Sequence, residues 1–366
     1  MPQQGVGFRE RLLAWFEKAK RPLPWRKTYN PYEVWLSEIM LQQTQMDRAV
    51  DYFNRFLARF PTIFALSRAG EDEVLRLWEG LGYYSRARNL LKAAKCVVTA
   101  HGGHIPADLA GLLALPGVGR YTAGAVLSIA YEQDVTAVDA NVERVLARSF
   151  DIAESPRAPD GKKRFETLAR ELLPSGRARD FNQALMELGA LVCTPRVPVC
   201  AACPLSENCL ALRRGLVEQR PALPKREEPV HIGMGTAVIK HHGLFFVQKR
   251  EPKGVWAGLW EFPGGQIEPG ETPEETTVRE VREETGFEVV SRGKLAVIRH
   301  CYTKYRVTMH AFLMNLAEDV NPDKPCLTAA TSWRWLPFDG LAGLAFPSAM
   351  RKLIESIGRD PRIVCS

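Results

Sequence analysis

The sequence predicts a multidomain protein, with an all-α region followed by an α/β region. Three observations predict it. Up to about residue 215, apolar residues recur at helical spacing in segments separated by Gly- and Pro-containing turns such as "HGGHIPAD" and "LPGVG". From Ile232 the texture changes to strand-like runs such as "MGTAVIKHHGLFFVQKR". Between the two lies a charged, Pro-containing stretch over 216–231, which fits an interdomain linker. The expected boundaries are therefore 1–215 and 232–366, a size that allows each region its own core.

The helical region contains "FRERLLAWFEKAK", then the long segment "PYEVWLSEIMLQQTQMDRAVDYFNRFLARF", expected as one continuous helix. Asn30-Pro31-Tyr32-Glu33 supplies its start: a capping Asn, Pro at the first helical position and Glu three residues after the cap. Further helices are expected at "EDEVLRLWEGL", "SRARNLLKAAKCVVTAH", "RYTAGAVLSIAYE", "NVERVLARSF" and "FNQALMELGALV". In the α/β region a strand pair flanks a His-Gly turn, another strand pair runs through "LAVIRHCYTKYRVTMHAFLMNL", and "TPEETTVREVREETG" between them is helical. Mixed strands and a helix form an α/β layer.

Hydrophobic content is 46% and charged content 25%, ordinary for a globular chain. A net charge of +7 admits an acidic polymer such as nucleic acid as partner. The N-terminal stretch has charges through its apolar residues, unlike a signal peptide, and no apolar run is long enough to span a bilayer. A monomer in a reducing, cytoplasmic setting, associated with the nucleoid and of bacterial type, is the expectation.

Cysteine spacing is the most specific signal in the helical region. Four of the eight cysteines fall in Cys193-x6-Cys200-x2-Cys203-x5-Cys209. In a reducing compartment thiolates at this density favour a soft metal or an iron–sulfur cluster over disulfides. Zinc is the competing reading, but zinc sites show two close pairs and only Cys200 and Cys203 form one. Arg196, inside the first loop, either reaches a nucleic-acid phosphate or is a solvated surface arginine.

Glu38 is the second signal. Val34, Glu38 and Leu41 fall on one helical stripe, and a carboxylate on a buried stripe either faces a cleft or is paired, because an isolated buried charge is costly. The third is "LPGVGRYTAGAVLS", where Gly117 and Gly119 make a tight turn before a helix, a backbone arrangement suited to phosphate. Asp139 follows 20 residues after Gly119 and begins "DANVERVLAR", where its bland role is a helix cap.

The cysteine spacing resembles the 4Fe–4S motif of the endonuclease III and adenine glycosylase superfamily of DNA repair enzymes. Hairpin, turn and downstream aspartate resemble helix-hairpin-helix DNA glycosylases. "SEIMLQQT", "LPWR" at 23–26 and "WEGLGYYSRARN" at 78–89 resemble MutY-type adenine DNA glycosylases, and this resemblance covers essentially the whole chain. It implies base excision repair on duplex DNA containing adenine opposite 8-oxoguanine or guanine. Its implied catalytic group is Glu38 as proton donor, Asp139 facing the sugar cation, Tyr121 where glycosylase–lyases carry a nucleophilic lysine, and Asn141. Trp25, Arg26, Leu41 and Gln183 are implied as pocket residues, and Gln43 and Tyr83 as residues that fill or wedge the base stack. Ala140 departs from the glycine usual after the aspartate; the added methyl is expected to be tolerated.

The resemblance also implies that the α/β region is a Nudix, MutT-like domain recognising 8-oxoguanine. Its usual Phe-Ser-His segment is Tyr302-Thr303-Lys304 here, so Tyr302 and Thr303 are the expected contacts. The Nudix box itself matches in full, from Gly265 through Glu271, Arg279, Glu280, Glu283 and Glu284 to Gly286. Glu280, Glu283 and Glu284 cluster at i, i+3 and i+4, where like charges repel unless a hard cation such as Mg²⁺ lies among them. Hydrolysis of nucleoside triphosphates follows if they bind it; a solvated acidic helix inherited from an active ancestor is the other reading. Two other functions compete: a pyrimidine glycosylase–lyase, disfavoured by Glu38 and Tyr121, and a nucleotide pyrophosphohydrolase whose helical region only binds DNA.

Overall fold

The computed structural model describes residues 2–224 and 228–364, with the side chains of 2–6 and of 364 excepted. Residues 225–227 of the expected linker, and Cys365, lie outside the described residues. The chain divides into two compact units: residues 1–68 with 89–225, and residues 69–88 with 226–366. The stretch 69–88 thus belongs with the second unit although it lies within the first in sequence.

Among the described residues, twelve α-helices precede the strands: α1 (Pro2–Ala19), α2 (Pro31–Leu41), α3 (Met46–Arg59), α4 (Ile63–Ser67), α5 (Glu71–Trp78), α6 (Ser85–His101), α7 (Leu109–Leu113), α8 (Arg120–Ala125), α9 (Ala140–Ser149), α10 (Pro159–Leu172), α11 (Ala178–Leu191) and α12 (Leu210–Arg213). The Asn30 side chain accepts from the Tyr32 and Glu33 backbone N–H groups and starts α2 as expected. The expected long helix is two helices. It breaks at 42–45, with Gln43 at a left-handed φ of 60°. Nothing in the hydrophobic period betrays this break, because the glutamines and threonine there are polar in either conformation.

One core of the first unit packs Phe8, Leu12 and Phe16 of α1 against Val142, Val145 and Leu146 of α9 and Phe181, Leu185 and Leu188 of α11. A smaller apolar group, Val34, Ala125, Ile129 and Ala137, joins α2 to α8 and to the π-helical turn 126–130 that continues it. Such turns often mark functional sites.

In the second unit a sheet of seven described strands runs in the order β3-β2-β1-β6-β5, with β4 beside β1 and β7 beside β2. The strands are β1 (Val230–His241), β2 (Leu244–Arg250), β3 (Trp260–Glu261), β4 (Gly264–Gln266), β5 (Val289–Tyr302), β6 (Tyr305–Leu316) and β7 (Ala330–Leu336). The β1–β2 and β5–β6 pairs are antiparallel hairpins, turning at His242-Gly243 and Thr303-Lys304, and β1 lies parallel to β6. Helix α13 (Pro273–Thr285) opens with the expected capping box between Thr272 and Glu275 and closes at Gly286. Helices α14 (Ser348–Ile357) and α15 (Pro361–Val364) end the described chain, and Leu353, Ile354 and Ile357 of α14 join Phe245, Phe262 and Leu313 in one core.

Candidate active site

Glu38 is 4% exposed on α2, inside a cleft of about 750 Å³ in the first unit. The Tyr121 hydroxyl, from the first turn of α8, donates to Glu38 Oε2 at 2.7 Å. Burial pushes the Glu38 pKa up to about 7; the Tyr121 hydrogen bond opposes the shift, the Asp139 charge adds to it and Arg26 opposes it. Burial also holds the Tyr121 phenol well above its ordinary pKa, so it remains a neutral donor.

Asp139 is the cap of α9. One oxygen accepts from the Val142 N–H at 2.8 Å and the other from the Asn141 amide at 2.7 Å. Burial raises its pKa, and these donors, with the charge of Arg144, pull it back. Asp139 is therefore both cap and cleft carboxylate. Ala140 is exposed, so its methyl meets no crowding.

Trp25, Arg26, Leu41, Gln43, Gln183 and Asn141 all line the same cleft. Arg26 Nε donates to the Gln183 side chain at 2.8 Å, and Arg26 and Arg21 both grip Glu187, which is 1% exposed. Sequence reasoning missed Glu187 and Glu143. Glu143, one turn beyond Asp139, lines the cleft with its pKa pushed up to about 7 by burial, by Asp139 less so, against Arg157 and Lys162. Helical spacing from Asp139 was the available signal for Glu143; Glu187 had none.

Gly117 has φ 79°, and a Cβ there would stand 2.8 Å from the Asn89 Cβ, so only glycine fits. Gly119 caps α8, and open space surrounds where its Cβ would be. Arg196 is exposed.

Cys193, Cys200, Cys203 and Cys209 line one cavity together with apolar Val145, Leu188 and Leu205. Among the described residues no group of three or more His, Cys, Asp or Glu side chains converges on a single ion. The four thiols that line this cavity are the soft donor set that an iron–sulfur cluster needs. The surrounding arginines bind the cysteine loop to α9 and its neighbours. Arg144 donates to Cys193 O, Asn141 Oδ1 and Gly189 O, and Arg148 to Thr194 O and Pro195 O.

In the second unit Arg279 pairs with Glu271, Glu280 and Glu283, while Glu284 accepts from the Gly264 N–H and the Gln248 amide. Burial, with the charges of Glu261 and Glu280, pushes the Glu284 pKa up to about 7. Tyr83 and Tyr302 lie together in this unit, ring centroids 6.1 Å apart, and Thr303 is exposed at φ 52°.

Two family models match the chain: residues 36–174 match the HhH-GPD superfamily of base excision DNA repair proteins, and residues 235–356 match a NUDIX domain. The Mus musculus adenine DNA glycosylase is 35% identical over 96% of this chain and 78% of its own length. The chain belongs to the adenine DNA glycosylase family. The Homo sapiens member is 33% identical over 96% of this chain and 74% of its own. Among solved structures, a thermostable thymine-DNA glycosylase superposes with a TM-score of 0.54 at 30% identity, covering 58% of this chain and 98% of its own. An endonuclease III–DNA covalent intermediate superposes with a TM-score of 0.52 at 25% identity, covering 59% and 99%. As a family member, the chain combines a helical helix-hairpin-helix domain with an α/β Nudix domain, as the sequence predicted. No helix among the described residues is long and apolar enough to cross a membrane.

Proposed function

We propose that the protein is a monofunctional adenine DNA glycosylase that binds duplex DNA and removes adenine paired with 8-oxoguanine or guanine. The observation that carries this is the buried Glu38 with a pKa near neutrality, facing a cleft that also holds Asp139. A duplex base is out of reach, so the adenine must be turned out of the stack at a cost of roughly a few kcal/mol. Gln43, in its left-handed turn beside the cleft, and Tyr83 are the residues proposed to fill the gap.

Protonated Glu38 gives its proton to the purine, at N7 in this proposal. The C1′–N9 bond breaks, its electron pair leaves with the base, and the base departs neutral. The sugar is left as an oxocarbenium ion, which ionised Asp139 stabilises across the cleft. Water adds at C1′ and its proton returns to the Glu38 carboxylate. Acid catalysis of this kind is worth roughly 10²–10⁴-fold. Tyr121 has no amine, so no Schiff base forms and the strand stays intact.

The cysteines would hold a 4Fe–4S cluster, which organises the loop that Arg144 and Arg148 tie to α9. Backbone at Gly117 and Gly119, and Arg196, would meet DNA phosphates. Tyr302 and Thr303 would read the base opposite the adenine. The match to a NUDIX domain supports a second activity, hydrolysis of nucleoside triphosphates with Glu280, Glu283 and Glu284 around Mg²⁺. Single-turnover adenine release from an A:8-oxoguanine duplex tests the whole: wild type should release adenine, and Glu38→Gln roughly 10²–10⁴-fold more slowly. Comparable rates from both, or no release by wild type, overturn it.

A further inference from the structure

Tyr302 has a second aromatic neighbour besides Tyr83. The Trp256 ring stands 5.8 Å from it at 60°, while Tyr83 lies on it at 41°. Three segments of the second unit therefore meet ring to ring: the turn before α6, the end of β5, and the loop between β2 and β3. Left-handed backbone occurs in each, with φ 49° at Tyr83, 52° at Thr303 and 59° at Trp256. Non-glycine residues take that conformation only where the surroundings over-determine it, and such positions gather at functional sites.

None of the three rings is among the residues of the two described apolar clusters of the sheet, and the Arg86 guanidinium lies 5.6 Å from the Tyr83 ring centroid. Lys253, Gly254 and Val255 just before Trp256 are exposed, and only at Trp256 does the loop turn inward. Its far side is anchored: Arg88 donates to Ala257 O, the Gly258 N–H to Glu251 O at 3.1 Å and the Leu259 N–H to Trp256 O at 3.1 Å. A fixed loop thus presents one ring to the residue expected to touch the lesion.

We propose that Trp256 is a positioning residue for reading the base opposite adenine, acting by fixing the Tyr302 ring against Tyr83. This rests on the lesion recognition proposed above. Trp256 touches no reacting atom, so its loss should change the choice between duplexes rather than the chemistry.

The test is single-turnover adenine release by the full-length protein on A:8-oxoguanine and A:G duplexes, with wild type, Trp256→Ala, Trp256→Leu and Trp256→Phe. Leucine keeps apolar bulk without a ring; phenylalanine keeps a ring. Trp256→Ala and Trp256→Leu should slow the 8-oxoguanine duplex roughly three- to tenfold, the worth of one aromatic pair, while the A:G rate stays within about twofold. Trp256→Phe should restore most of the preference. Equal losses on both duplexes, unchanged rates, or a leucine variant as selective as wild type would overturn the inference and leave lesion recognition standing. A wild type with equal rates on the two duplexes would overturn both.

Discussion

The Tyr121 hydroxyl donates a 2.7 Å hydrogen bond to Glu38 Oε2, and this bond works against the burial that raises the carboxyl's pKa. The phenol stabilises the anion; burial in a cleft lined by apolar Leu41, Ile129, Val138 and Met186 destabilises it. Their balance leaves the acid near half-protonated at neutral pH, where it can both give and regain a proton.

The pH profile should follow that balance. In the proposed mechanism Glu38 acts as the protonated acid, so the single-turnover rate should fall about tenfold per unit above about pH 7. The same group, raised in the folded state from 4.5, contributes stability that is fully present below its unfolded pKa and is lost as pH rises through about 7. Tyr121→Phe removes a donor to the anion, so the pKa rises further and the alkaline limb should move to higher pH. A limb that moves down, measured on the same duplex, contradicts this account.

Glu38→Gln keeps the shape and loses the acid. Adenine release should drop roughly 10²–10⁴-fold, while duplex affinity by gel shift stays near wild type.

Glu187 is a structural carboxylate with two cations on it. Its side chain is 2% exposed, and Arg21 and Arg26 bond it at 2.8 and 3.1 Å. Glu187→Ala leaves both guanidinium groups without their anion, so urea unfolding should show a loss of about 3–5 kcal/mol. A change under 1 kcal/mol, roughly the worth of a surface pair, would refute it.

Two glycines should behave oppositely. A Cβ on Gly189 would stand 2.6 Å from the Asn141 Cβ, so Gly189→Ala should displace Asn141 from Asp139, cost about 1–3 kcal/mol and slow adenine release. Gly119→Ala meets nothing within 4 Å, so its melting temperature should hold. Only its DNA affinity should fall, as expected where a phosphate approaches bare backbone.

The cysteine loop should depend on the proposed cluster. Cys203→Ser should lower iron content and visible absorption together, and lower the melting temperature, because the loop's arginine bonds then lack an ordered partner. Full iron occupancy in that variant would exclude Cys203 as a ligand.

Much of the site was legible because its chemistry conflicts with its surroundings. Glu38 stood out as a charge on an apolar stripe, Asp139 as a cap following a glycine turn, and the four cysteines by spacing alone. The Asn30 cap, the Thr272–Glu275 capping box and the His-Gly hairpin were readable because local hydrogen bonding decides them. What escaped depends on contacts distant in sequence. Gln43 breaks a helix that the period would continue, and Glu187 is explained only by Arg21 and Arg26 at |i−j| of 166 and 161. Helix α10 was missed because its first turns are strongly polar, "PDGKKR", leaving Phe165, Leu168 and Leu172 as a sparse stripe. The Nudix glutamates show the converse, since matching the box did not fix which partner each carboxylate takes.

Residues 69–88 carry a consequence for anyone dividing this polypeptide. Within the second unit Glu79 is gripped by Arg351, and the Tyr84 hydroxyl donates to Phe346 O at 3.0 Å. A fragment cut at the connecting segment keeps Glu79 and Tyr84 but discards Arg351 and Phe346, stranding a half-buried anion without its counter-ion. The two halves look separable on paper, yet the insert that bears Tyr83 draws its support from sequence more than 260 positions downstream. Shuffling, grafting or expressing either half alone would have to rebuild that support.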